Sequence, residues 1–372
     1  MSVAKVSPSW TDFKGGSELY PLTDDISLTV TEELNGLYDL EIEYPDDGEF
    51  ADYLIAADAT NNYSAVISAP PRAGMQYEPF IVFDVIRTGE KVRKIKAHNA
   101  AYRTNKTVIP PFTATGITAT LAALNVTEFL LININLNDES TQFENEKPTS
   151  LWELVGAVAK KFKAELTYTY NYANTTMRIE YRTQRGVQND DITIREGVNI
   201  VSIEEETNCE DRITSVYGYA QGDDGNGNLT TVTAEVNTGL TGDGKPLIVD
   251  FTGEFEGLPT YAQLLAKVTA YTTELTATLA VYGRYTVSAN FIPLGNTTEY
   301  AGNPVTCDVG DTVTINALNK YIKARIVKTV FNPHTEKYDL ISVGSEPVNV
   351  ADTIAELERN QAGYYNGKVV YE

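Results

Sequence analysis

Chemistry-bearing residues are scarce in this sequence. Among 372 residues stand two cysteines, Cys209 and Cys307, and two histidines, His98 and His334. That leaves little material for a thiol–imidazole dyad, a zinc site or a disulfide scaffold. Cys209 sits in an acidic stretch that disfavours a thiolate, and His334 lies in the turn Asn332-Pro333-His334-Thr335. Basic residues are also few, 29 Lys and Arg against 51 Asp and Glu, a net charge of −22. A sequence-tolerant phosphate binder needs clustered cations, so that class is excluded. A surface past which DNA slides without sticking is compatible with such charge. No apolar run approaches a membrane span, and the N-terminus MSVAKVSPSW lacks the apolar core of a signal peptide. Neither a membrane anchor nor secretion is therefore expected. The sequence has no P-loop, no G-x-S-x-G and no H-E-x-x-H.

What is abundant points to β structure. There are 23 Tyr against 12 Phe and 2 Trp, and Thr recurs throughout. Tyr, Thr and Val suit a pleated, half-buried surface. The length predicts two or three domains. Residues 22–44 alternate through Ile26, Leu28 and Val30, turn at Asn35-Gly36, and alternate again through Leu40, Ile42 and Tyr44. Asn-Gly tolerates positive φ, so this reads as a hairpin. A second hairpin is predicted over Phe80–Ala97, turning at Thr88-Gly89-Glu90. These four strands imply a small antiparallel barrel or sandwich.

Helical signals follow Pro110-Pro111. Thr118–Leu124 is one; Thr149–Phe162 is another, with Ser150 and Glu153 as a capping box and an apolar stripe through Leu151, Leu154, Val155 and Val158. Strands are predicted at Glu165–Tyr170, Met177–Tyr181 and Asp191–Ile194. Residues 198–220 read as strands returning to the first barrel, and 221–228 (QGDDGNGN) as a linker. A helix from Thr260 to about Leu279 precedes strands at Arg284–Ile292, Asp311–Ile315, Ile322–Val330 and Lys337–Val343. In the third of these, Ile322, Ala324, Ile326 and Val330 share a face. Gly310-Asp311 supplies a turn. The stretches FIVFDVIRTGEKVRKIKA and IKARIVKTVFNPHTEKYDLISVG echo one another as strand, charged turn, strand.

The fold class expected is β-rich α+β: two small antiparallel β-barrels, an inserted α+β domain and a C-terminal helix. The first barrel occupies 1–110, completed by about 196–220; the insert 111–195; a helix with the second barrel 221–345; the helix and tail 346–372. No catalytic, cofactor-binding or metal-binding residue is assigned. In Asp223–Asn228, oxygen ligands at Asp224, Asn226, Asn228 and Glu235 would mimic a calcium loop, but Leu229 stands where the sharp turn needs Gly. The bland reading is a solvated segment. Glu204-Glu205-Glu206 likewise reads as a solvated strand edge rather than a general base.

Taken in order, four stretches resemble a known family: FIVFDVIRTGEKVRKIKAHNAAY, TSLWELVGAVAKKFKAELTY, ITIREGVNIVSIEEETNCEDRITSVYGYA, and VGDTVTI with KARIVKTVFNPHTEKYDLISVG. They are similar to the N-terminal hub region of phage and prophage tail proteins (tail-associated lysins, tail endopeptidases, minor structural proteins, including those of siphoviruses) and to the baseplate hub of contractile tails. The resemblance implies a virion protein of the tail tip, assembled in the host cytoplasm. It implies a homotrimer whose two barrels per chain make a pseudo-six-fold ring on the tail tube. The ring's centre closes the tube and opens for DNA. Implied partners are the distal tail or tail tube protein, the tape measure protein, and receptor-binding or fibre proteins, with DNA passing transiently. Only GYYNGKVVYE follows the last helix, so no lysin module is expected and the chain is read as a non-enzyme without cofactors. The competing readings are a cell-wall or glycan hydrolase and a glycan-binding β adhesin.

Overall fold

The computed structural model describes residues 4–344 except 17–18, 57–63, 73, 88–90, 196–197, 199, 209–211, 224, 226, 256, 278–283, 292–306 and 318–319. The helix expected at 346–372 lies outside the described residues. So do Cys209 and the turn Thr88-Gly89-Glu90. Two compact units emerge: Met1–Ile203 with Ala289–Ser342, and Glu204–Ser288.

The first unit opens with β1 (Lys5–Ser7) and α1 (Trp10–Gly15). The Ser9 hydroxyl accepts from Asp12 N at 3.2 Å, a side-chain cap for a helix whose first N–H groups have no partner within it. After β2 (Tyr20–Pro21) come β3 (Ser27–Glu33) and β4 (Tyr38–Pro45), the predicted hairpin. Its turn residue Asn35 takes φ +53, a conformation Asn tolerates better than most residues. β5 (Val66–Ala69), β6 (Glu78–Arg87) and β7 (Val92–Asn99) complete this part.

β8 (Val108–Ile109) leads into the insert, which contains β9 (Phe112–Thr115), α2 (Ile117–Ala123), β10 (Phe129–Ile134), β11 (Gln142–Asn145), β12 (Thr149–Ser150), α3 (Leu151–Lys161), β13 (Glu165–Asn171), β14 (Thr176–Arg182) and β15 (Gln188–Arg195). Ser150 caps α3 as read from sequence, accepting from Glu153 N, and Leu151, Leu154, Val155 and Val158 are buried. Asn35 ties the first hairpin to the insert. Its amide donates to Ala164 O at 3.1 Å and its Oδ1 accepts from Leu166 N at 2.7 Å.

From β16 (Ile200–Asn208) the chain enters the second unit: β17 (Ile213–Asp223), β18 (Leu229–Asn237), β19 (Lys245–Asp250) and α4 (Tyr261–Ala277). β17 was expected to return to the first barrel. It is instead the centre of a separate three-stranded sheet, antiparallel to β18 and parallel to β19. The physical reason is α4, which covers that sheet with Leu264 and Val268 against Val216, Ala220, Ala234 and Phe251. The approach is close enough that a Cβ on Gly218 would lie 2.3 Å from Val268 Cγ2. Of the stretch read as a linker, Gln221–Asp223 instead ends β17 and pairs with Leu229–Thr231 of β18, while 224 and 226 lie outside the described residues.

β20 (Arg284–Phe291), β21 (Thr312–Ala317), β22 (Lys320–Asn332) and β23 (Lys337–Gly344) follow. One sheet path runs β23-β22-β3-β4-β7-β6-β5-β1-β2. The two echoing hairpins, β6–β7 and β22–β23, therefore flank β3–β4 on opposite sides within one sheet, where two separate barrels were expected. β22 also departs from the predicted alternation. Ile326 is buried, but so are Val327, Thr329 and Phe331, while Val330 is only half-buried. Residues 320–325 pair with β21 and 328–331 with β3, so the inward face changes where the partner does. No helix among the described residues is long and apolar enough to cross a membrane.

Candidate functional site

Period-two alternation puts Leu28, Val30 and Glu32 of β3 on its buried face. A carboxylate in the third place demands a partner, because an unpaired buried charge is prohibitively costly. Arg185, in the segment after β14, donates from Nη2 to Glu32 Oε1 at 2.6 Å and to Asp308 Oδ1 at 2.9 Å. Arg72, after β5, also pairs with Asp308, and lies 3.9 Å from Glu32. Burial depresses the Arg185 guanidinium, yet Glu32 and Asp308 outweigh it and hold the group above its ordinary range. Beside this four-membered cluster, Arg325 clasps Glu165 through two bonds of 2.7 and 2.8 Å. Planar fork geometry suits such bidentate pairing. Arg325 Nη2 also donates to the Arg185 carbonyl at 2.9 Å.

Backbone packing enforces the same junction. Gly310 takes φ +94, and a Cβ there would lie 2.5 Å from Arg185 O; one on Gly186 would lie 2.2 Å from Gly310 C. Asp311 accepts from Val187 N at 2.8 Å. Residues from β3, the insert and the closing strands thus meet at one buried, charge-balanced point. Chemically it is a clamp. Its carboxylates are engaged by guanidinium groups rather than poised for proton transfer.

Glu78 is a further buried acid, 5% exposed, accepting from Tyr170 N at 2.9 Å. Burial pushes its pKa up to about 8, with Glu32 adding to the effect, so it is protonated at neutral pH.

The residues weighed from sequence are dispersed. His98 Nδ1 bonds Asp39 Oδ1 at 2.8 Å, and its ring stacks on Phe83 at 3.7 Å. A bulge between Val82 and Asp84 marks the place of Phe83. His334 pairs with Asp25. Cys307 is buried, its N–H donating to the Tyr338 hydroxyl and its carbonyl accepting from it; burial and then Asp311 and Asp308 push its thiol far up. Asp223 Oδ1 accepts from Gly225 N and Gly227 N, closing its own turn. Asp224 and Asn226 lie outside the described residues, and Glu235 lies six residues along β18 from Leu229, roughly 20 Å at ~3.3 Å per residue. Glu204 is exposed in β16. Among the described residues no group of His, Cys, Asp and Glu is arranged to hold a metal ion. Sequence reasoning missed the clamp. The one local sign was Glu32 in an otherwise apolar alternation.

On the solvated face of the central strands, cross-strand neighbours pair opposite charges. Lys94 meets Glu43 at 3.1 Å, Lys96 meets Glu41 at 3.8 Å, and Lys328 meets Glu33 at 2.8 Å. The registers Glu43↔Lys94, Glu41↔Lys96 and Lys328↔Glu33 place these groups side by side.

No protein-family model matches the sequence, and no curated protein matches it. Solved structures do. Prophage tail protein gp18 of Listeria monocytogenes is 16% identical with a TM-score of 0.59, the match covering 97% of this chain and 100% of that one. A tail protein of Neisseria meningitidis is 10% identical at 0.59, covering 95% and 99%. The 43 kDa tail protein of prophage MuSo2 from Shewanella oneidensis is 12% identical at 0.56, covering 92% and 97%. Matches of nearly full length on both sides, at identities too low for sequence to carry them, leave the backbone as the shared property: this chain has the fold of prophage tail proteins.

Proposed function

We propose that the chain is a structural hub at the distal end of a phage tail tube. Three copies form a ring with six similar modules, which closes the tube, opens for DNA and connects to baseplate or fibre proteins. The observation that carries this reading is the placement of β6–β7 and β22–β23 on opposite flanks of β3–β4. One chain then offers two like hairpins to a six-fold partner, which a trimer needs in order to match it. The likeness to prophage tail proteins supports the setting, a virion tail tip with tube and tape measure proteins as neighbours. In this reading 1–110 and 221–345 hold the equivalent modules, 111–195 is the insert, and the clamp fixes their geometry. Acid excess is concentrated in 204–288, with 13 acidic against 4 basic residues. Carboxylates in that stretch suit a surface that DNA passes without binding.

The test is native mass combined with low-magnification imaging of the purified chain, alone and with its tube protein. A three-fold ring with six peripheral lobes is expected. A monomer in both conditions overturns the proposal. The hub is also a non-enzyme: incubation with purified cell walls is expected to release no soluble fragments, and sustained turnover would favour a hydrolase instead.

A further inference from the structure

A cavity of about 300 Å³ opens in the first unit between β1, α1, the start of β6 and the β13–β14 turn. That is room for roughly ten waters, at the lower end for a small-molecule site. Tyr172 forms one wall. Its hydroxyl donates to the Tyr77 carbonyl at 2.8 Å, and its ring meets Tyr170 edge-on at 4.8 Å and Phe13 at 6.1 Å. The wall is held in place before any ligand arrives, yet the ring remains 44% exposed. Preorganisation of this kind lowers the ordering cost of binding.

The polar lining is sparse and of one sign. Lys5 and Ser68 are register partners on neighbouring strands and both face the cavity, together with Gln76. The Lys5 ammonium lies 5.4 Å from the Tyr77 ring centroid. No described carboxylate pairs with it. Among the described residues no acid lines this cavity. Glu78 acts on Tyr172 electrostatically from behind the wall, but at neutral pH its carboxyl is protonated.

We propose that this cavity binds an anionic pyranose, the ring against Tyr172 and the acidic group on Lys5. The amide of Gln76 and the hydroxyl of Ser68 supply bonds to ring hydroxyls. Rigid aromatic walls take the apolar face of a sugar ring, and a few convergent polar groups set orientation. Lys is a point charge without a planar fork, so the chemistry fits carboxylate and phosphate alike. The inference is independent of the hub reading.

The test is calorimetric titration of the full chain with glucuronate, glucose 6-phosphate, glucose and benzoate. Saturable binding of one or both acidic sugars is expected, with glucose weaker by about tenfold, the loss of one charge-assisted bond. The stronger of the two identifies the acid as carboxylate or phosphate. Lys5→Gln should erase that tenfold preference while leaving thermal unfolding unchanged, and Tyr172→Ala should weaken every sugar. Gln76→Ala, at an exposed position, provides a second variant independent of folding. Absence of saturable binding by both acidic sugars, tighter binding of benzoate, or an unchanged preference in Lys5→Gln overturns the proposal.

Discussion

Replacing Arg185 tests whether the clamp holds the first unit together. Arg185→Met removes the 2.6 Å partner of Glu32 and the 2.9 Å partner of Asp308. Arg72 remains paired with Asp308 but stands 3.9 Å from Glu32, so one buried negative charge is left without adequate compensation. Breaking a buried pair from one side costs about 3–5 kcal/mol. Both tryptophans, Trp10 and Trp152, lie in the first unit, so their fluorescence in urea reports that unit alone. With a slope of about 3 kcal/mol per M, the midpoint should fall by about 1 M or more. The double variant Arg185→Met with Glu32→Leu should recover most of the loss, because an apolar pair replaces a buried ionic one at little net cost. A shift below about 1 kcal/mol, or a double variant as unstable as the two single losses added, would refute the reasoning.

Two further outcomes follow from the same region. Gly310→Ala places a methyl 2.5 Å from Arg185 O at φ +94, while Gly225→Ala, at φ +84, meets nothing within 4 Å. The first should cost more than about 2 kcal/mol and the second only the left-handed penalty of about 1–2 kcal/mol; equal losses in urea melts would contradict the proposed close packing. Glu78 has its pKa raised from 4.5 to about 8 in the folded protein. The native state then binds a proton that the unfolded state has released, so stability declines as pH rises from about 4.5 towards 8, by at most about 1.4 kcal/mol per unit, and levels above. Glu78→Gln should remove that decline; parallel stability–pH curves for the two proteins would dismiss it.

Local physics made much of this chain legible. The Asn35-Gly36 hairpin, the Ser150 cap with its apolar stripe, the β13–β14 pair and the closing β22–β23 strands all depend on neighbours a few residues apart, whose periodicity and turn chemistry are written in order. The small elements β1 and α1 lack such periodicity, and β18 and β19, exposed at most alternate positions, carry too little apolar contrast to announce themselves.

Long-range pairing belonged to the tertiary structure alone. Glu32 finds Arg185 across 153 positions and Arg325 finds Glu165 across 160; no local pattern distinguishes these charges from the other acids and bases of the chain. The same holds for β17, whose alternation fits either sheet. Its placement was decided by the face that α4 covers. A strand's inward face is set by its own sequence, but its neighbour is set by whichever surface buries that face.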